Sequence, residues 1–293
     1  MSDDFLAAMA ASSRDRVAVA RTALPEAELR ARVGDLAPGP RLQLSAQGFD
    51  LIAEIKLRSP ALGQLRSVAE NDLEQRVVRY AAAGASAVSV LTEPSCFDGT
   101  LDHLRRASRA LATHGVPTMR KDFLVDPYQI LEARAAGASG VLLIVRMLSD
   151  SILAALFETA LEQNLFVLLE TFAEQDIAAA VRLLKTHGIL GQGADRVRQG
   201  AQVLLGVNCR DLVSLQVVPG RLEQLVDALP SELPRVAESG LVDADDARRL
   251  AAAGYDLALV GSALMSGDHP REIASRMLAA GRSSRRKTRS GVR

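Results

Sequence analysis

The chain has 293 residues, with 35 Lys and Arg against 35 Asp and Glu. The formal net charge is therefore zero, which excludes a whole-molecule field that would draw it onto nucleic acid or an anionic membrane. Hydrophobic residues reach 48% while aromatics are 3% and Trp is absent, so a sizeable core must be aliphatic. Two cysteines, Cys96 and Cys209, cannot build a disulfide framework. The histidines His103, His114, His187 and His269 are scattered rather than set at ligand spacing, so neither a metal nor a metal-dependent cofactor is expected.

The N-terminus, "MSDDFLAAMAASSRDR", lacks the apolar centre of a signal peptide, and no later run approaches the ~20 apolar residues of a spanning helix. A cytoplasmic protein with no membrane partner is expected. Residues 1–48 read as an N-terminal helical extension packed on the domain that follows: "TALPEAELRARV" has apolar residues at helical spacing around a proline break, and "LAPGPRLQ" is loop-like.

From residue 49 the chain alternates short apolar runs with helical patterns. The runs are "DLIAEIK" (50–56), "SAVSVLT" (86–92), "VPTMRKD" (116–122), "SGVLLIV" (139–145), "LFVLLE" (165–170), "VLLGVN" (203–208), "PRVAE" (234–238) and "LALVG" (257–261). Near-continuous apolar strands between helices imply a parallel sheet covered by helices, and ~8 such units is the number at which the sheet closes. The expectation is an α/β protein, a (β/α)8 TIM barrel over 49–280. "RYAAAGASAVSVL", "ARAAGASGVLLIV" and "RLAAAGYDLALVG" share helix end, Ala-Ala-Gly and strand, which puts Gly84, Gly137 and Gly254 where a left-handed residue ends a helix. The segment "VRLLKTHGILGQGADRVRQGAQ" reads as a helix plus a surface insertion. The basic tail 281–293, "GRSSRRKTRSGVR", is expected to be disordered; it lacks the aromatic partners of a nucleic-acid arm.

Active-site residues of a closed barrel come from the C-terminal strand ends. Strand one ends in Glu54 and Lys56, strand three in Lys121, strand five in Glu170, and strand six in Asn208 with Arg210 just after. Strand seven ends in Glu238, Ser239 and Gly240, and strand eight in Gly261 and Ser262. Alternation puts Glu54 and Lys56 on one face, and Asn208 with Arg210, while Ile55 and Cys209 point away. By the same parity Lys121 faces the mouth with Met119, whereas Arg120 braces structure; Asp122 and Asp126 serve the loop and cap before a helix near Pro127. Gly240, Gly261 and Ser262 are small enough for backbone N–H groups to approach a phosphate. Two lysines and several glutamates suit proton transfer, with Lys121 as donor and Glu170 as acceptor, or a Schiff-base use of the lysine.

The motifs "IAEIKLRSP", "SVLTEPSCFDGTLDHL", "RKDFLVDPYQILEARAAGASGVLLIV", "GVNCRDL" and "VAESGL" stand in the order and spacing of the indole-3-glycerol phosphate synthase family, which the chain resembles over roughly residues 10–280. The resemblance implies decarboxylating, dehydrating ring closure of 1-(2-carboxyphenylamino)-1-deoxyribulose 5-phosphate, a small phosphorylated substrate, in tryptophan biosynthesis. It implies no cofactor, no nucleic-acid or membrane partner, and a monomer or weak homo-oligomer. Carried over by position, Lys121 resembles the general acid and Glu170 its acid or base partner in dehydration. Lys56 resembles a substrate-anion contact with a proton-donor role of its own, and Glu54 its orienting partner. Asn208 and Arg210 resemble anchors on the anthranilate side, Ser59, Glu238 and Ser239 complete the pocket, and Gly240, Gly261 and Ser262 resemble the phosphate cradle.

Two departures stand out. Ala61 and Leu62 replace a polar and a basic group usual in the first βα loop, and Cys209 interrupts a usual Asn-Asn-Arg. The insertion near 186–202 is also longer than usual. A phosphoribosylanthranilate isomerase would need a Cys and Asp pair at strand ends that this chain lacks. A catalytically silent barrel would have lost Lys56, Lys121 or Glu170.

Overall fold

The computed structural model describes residues 2–65, 72–191, 202–211, 214–267 and 269–290, with side chains from Phe5 to Ser284 within those spans. The insertion expected near 186–202 falls mostly outside the described residues; what precedes it is helix to Thr186 and a turn to Gly191.

Each of the eight apolar runs forms a strand: β1 Asp50–Ile55, β2 Ala87–Leu91, β3 Thr118–Lys121, β4 Gly140–Ile144, β5 Phe166–Thr171, β6 Val203–Asn208, β7 Arg235–Glu238 and β8 Leu257–Val260. Every neighbouring pair is parallel, and β8 pairs back onto β1 (Asp50 with Leu257, Ala53 with Val260), so the sheet is a closed barrel. The expected (β/α)8 architecture is what the chain adopts.

Strand alternation sorts the core into two parts. Leu51, Ala53, Ile55, Val88, Val90, Val141 and Cys209 point outward and pack beneath the helices. Ile52, Met119, Leu142, Phe166, Leu168, Leu204, Val236 and Leu259 fill the barrel itself. Ile55 and Cys209 thus face the helical layer and Met119 the interior, as parity requires.

The helices begin and end where local chemistry dictates. Asp126 accepts from Tyr128 N and Pro127 follows at the first position of the helix Pro127–Ala135; Thr100 and Asp243 cap the helices Leu101–Leu111 and Ala244–Ala253. Gly84, Gly137 and Gly254 have φ of 95°, 87° and 116°, the left-handed stops between helix and strand.

The N-terminal helices, α1 Ser2–Ala23 and α2 Glu26–Gly34, lie along Pro127–Ala135, where Val17, Leu29 and Val33 pack on Tyr128 and Leu131. The extension spans the barrel's height. Phe5 meets Phe123 at the mouth, and Leu42 exchanges backbone hydrogen bonds with the Gln202 side chain just before β6. No described helix is long and apolar enough to cross a membrane.

The disordered tail expected from residue 281 is corrected: the last helix, Pro270–Ser290, runs through that point, and 291–293 lie outside the described residues. The contacts on residues 281 and 282 are with β1 and the residue before it. Arg282 donates to Phe49 O at 3.0 Å and to Asp50 at 2.9 Å, and Gly281 lets the Phe49 ring lie against the helix. Neither contact leaves a periodic apolar signal.

Candidate active site

A cavity of about 440 Å³ opens at the C-terminal end of the barrel. Its lining includes all twelve residues singled out from the sequence: Glu54, Lys56, Ser59, Lys121, Glu170, Asn208, Arg210, Glu238, Ser239, Gly240, Gly261 and Ser262. They converge because inward-facing positions at successive strand ends form one ring.

Lys121 on β3 reaches across to Glu170 on β5, Nζ to Oε2 at 2.8 Å, and lies 3.5 Å from Glu238 on β7. Lys56 pairs with Glu54 at 2.7 Å. Burial works against the Lys121 ammonium, but the carboxylates of Glu170, Glu238 and Glu54 outweigh it and hold the group protonated beyond its usual range. Glu170 is buried too, yet Lys121 and hydrogen bonds from Glu238 and Asn208 keep it ionised below the usual carboxylate range. Glu238 goes the other way: burial, with the Glu170 charge beside it, pushes its carboxyl well above that range, against the pull of Lys121. One ammonium is thus surrounded by carboxyl groups that folding pushes in opposite directions, Glu170 down and Glu238 up.

Asn208 Oδ1 accepts from Arg210 N at 2.9 Å, which turns the amide nitrogen toward Glu170. Arg210 lines the cavity while its guanidinium donates to Leu215 O at 2.5 Å. Ser59 lies in a small hairpin, Arg58–Ser59 with Gly63–Gln64, and its Oγ accepts from Ala61 N; Leu62 at the tip is 57% exposed at the cavity mouth. The Ala61 and Leu62 departure thus makes part of the rim apolar. Ser239 and Gly240 follow with φ of 67° and 77°; for Ser239 this is a strained conformation of the kind held at functional sites.

Gly261 is held small by its neighbours in the chamber. A Cβ there would run into Glu54 Oε1 and come within 3.0 Å of Lys56 Nζ, so the Glu54–Lys56 pair occupies the space glycine leaves. Gly261→Ala should lower kcat/KM by about tenfold or more with little change in thermal midpoint, since displacing a reacting group by ~1 Å can cost up to ~10². Unchanged kinetics would show that the pair tolerates the shift.

Several functional positions escaped the sequence reading. Phe5, Leu91, Phe97, Phe123, Leu142 and Ile144 form an apolar wall on the β2–β4 side, opposite the small residues of β7 and β8. Phe123 meets Phe5 edge-on at 5.9 Å and Phe97 at 6.2 Å. Phe123 had a local signal, two residues past Lys121; Phe5 had none, because only docking of α1 brings it here. Asp122, read as a loop residue, is the centre of a buried network instead. It accepts from both terminal nitrogens of Arg16, from Arg120, from Thr92 Oγ1 at 2.6 Å and from Phe123 N. Arg120 is buried beneath the helix Pro127–Ala135, bound to Gln129 O and Glu132, and braces structure as expected.

A closed parallel barrel whose strand ends gather lysines and glutamates against an apolar wall is a (β/α)8 enzyme built for acid–base chemistry on a substrate with an aromatic part. A family model described as "Indole-3-glycerol phosphate synthase" matches residues 6–277. Relatives of that name from Nocardioides sp. and Arthrobacter sp. are 37% and 38% identical over 277 and 278 residues, covering 94% and 92% of this chain and 96% and 94% of theirs. The chain belongs to the indole-3-glycerol phosphate synthase family. The solved 3-hexulose-6-phosphate synthase from Salmonella typhimurium shares the fold alone, with a TM-score of 0.57 at 14% identity over 80% of this chain and 99% of that one.

Proposed function

We infer that this chamber closes the indole ring with Lys121 as general acid and Glu170 as the accepting base. The family activity makes the chain a carboxy-lyase of tryptophan biosynthesis. The observation that carries the residue roles is the Lys121 ammonium, held 2.8 Å from the buried Glu170 carboxylate at the barrel mouth. An ammonium in that position stabilises the negative charge that develops on the keto oxygen as the ring carbon attacks, and it does so most strongly where water is excluded.

The cavity's two sides match the two ends of 1-(2-carboxyphenylamino)-1-deoxyribulose 5-phosphate. The Phe5, Phe97 and Phe123 wall receives the phenyl ring, while Gly240, Gly261 and Ser262, with Lys56 for charge, receive the phosphate. That orientation lays the keto carbon across the centre, beside Lys121. Asn208 and Arg210 anchor the substrate carboxylate, Ser59 and Ser239 line its path, and Glu54 holds Lys56 in place. The reaction in this reading needs no cofactor and takes place in the cytoplasm.

The assay exploits composition. With no Trp and three Tyr, the protein is nearly dark when excited at the red edge of indole absorption, whereas the product is an indole. Mixing protein with the carboxyphenylamino-deoxyribulose phosphate should raise indole fluorescence at a rate proportional to protein. No rise at any protein concentration would sink the reading.

A further inference from the structure

The chamber holds more buried carboxylates than its lysines pair. Glu54, Glu170 and Glu238 expose 3%, 3% and 1% of their side chains, against two ammonium groups, Lys56 and Lys121. Lys56 takes Glu54 and Lys121 takes Glu170, which leaves Glu238 with Lys121 Nζ at 3.5 Å. Among the described residues neither Glu238 oxygen accepts a hydrogen bond. An ionised carboxylate stripped of both water and donors is strongly unfavourable, and such a group takes up a proton instead.

The surroundings of Glu238 reinforce this. Facing it are Lys121 from β3, Glu170 from β5, Asn208 from β6 and Glu54 from β1, whose charge Lys56 pairs at 2.7 Å. The interior positions of β2, β4 and β8 offer Ser89 and Leu91, Ile144, and Leu259, none of which titrates. Gly206 on β6 lies against Glu238 Oε1, where any Cβ would collide, so the carboxyl can lean across β6 toward Glu170. A proton on Glu238 can then sit in a hydrogen bond to the Glu170 carboxylate.

We propose that Glu238 rests as a neutral carboxylic acid donating to Glu170, and that its proton, passed through Lys121, is the one each turnover consumes. The second half rests on the ring-closure reading above. In that reaction the carboxyl-bearing ring carbon bonds to the keto carbon, and the keto oxygen takes a proton from Lys121. Carbon dioxide leaves, and the electron pair of the broken bond returns to the ring. Loss of water then places one proton on the departing hydroxyl and releases one from the neighbouring carbon to Glu170. The substrate accepts two protons and returns one, so a carboxylate substrate consumes one proton net. Lys121, neutral after the first transfer, recovers its charge from Glu238 and is ready to protonate the departing hydroxyl. After that second transfer Glu170 returns the proton it took to Lys121, 2.8 Å away, and solvent reprotonates Glu238 once the product has left.

Infrared difference spectroscopy on the resting, full-length protein tests the proton directly. At neutral pH the wild type should show the carbonyl stretch of a protonated carboxyl, which carboxylates lack, and Glu238→Gln should remove it; raising the pH should remove it from the wild type as well. A wild type without the band, or a band that survives in Glu238→Gln, overturns the proposal. The measurement needs no substrate, so failure to form indole would overturn the reaction reading and leave the band untouched. The kinetic arm tests the relay. Gln keeps the shape and a donor but has no transferable proton, so kcat should fall on the order of 10²-fold with KM nearly unchanged. A raised KM with normal kcat would make Glu238 a binding group and overturn the relay.

Discussion

Lys121→Ala lowers turnover by at least ~10²-fold, the span a general acid contributes being ~10² to ~10⁴. The loss should fall on kcat more than on KM, because the ammonium's partner in the reaction is charge that exists only as the ring closes. The rest of the chamber should stay in place, since Lys121 is one member of a ring supported by other strands. Removing the ammonium leaves Glu170 and Glu238 without their shared cation, however, and the lost charge then adds to the lost proton. The fluorescence assay with saturating substrate measures the effect. Near-normal turnover would move the acid role to Lys56, the other ammonium lining the cavity, already paired with Glu54.

Asp122→Ala has its large effect on stability. The Asp122 carboxylate is fully enclosed, and its removal leaves Arg120, 2% exposed, without one of its two carboxylates and Thr92 and Arg16 without their acceptor. Breaking a buried ion pair from one side costs about 3–5 kcal/mol. A drop in urea-unfolding free energy below about 1 kcal/mol would show that water or Glu132 takes over. Acid gives an independent view of the same group. Burial alone would raise the Asp122 carboxyl, but Arg120, Arg16 and Thr92 outweigh it and lower it from 3.8 to about 2. A carboxyl depressed by folding stabilises the protein above its unfolded value. That contribution is present above pH of about 4 and is lost as pH falls toward about 2. The gap between wild type and variant should therefore narrow across this window.

The two effects come from adjacent residues because β3 sends alternate side chains to opposite faces. Lys121 points into the chamber, Arg120 points under the helix Pro127–Ala135, and the chain turns just after them at Asp122. That difference between 120 and 121 was legible from parity alone. The role of Asp122 was not, since its main partner Arg16 lies 106 residues earlier, on a helix whose docking no local pattern records.

Local chemistry accounts for the features that could be read along the chain. Eight apolar runs of strand length, glycine stops at 84, 137 and 254, and caps such as Asp126 dictate a barrel, and strand parity then aims Glu54, Lys121, Glu170 and Asn208 at one centre. Tertiary structure decided what depends on residues far apart in the chain. It brought Phe5 to the aromatic wall, anchored Arg282 on Asp50 within the helix that runs through the basic tail, and gave Gly261 to the Glu54–Lys56 pair. It also left Glu238 buried with no hydrogen-bond donor among the described residues. Periodicity reports which face a side chain takes; how many charges meet in one space, and which of them is left without a donor, emerges only when the barrel closes.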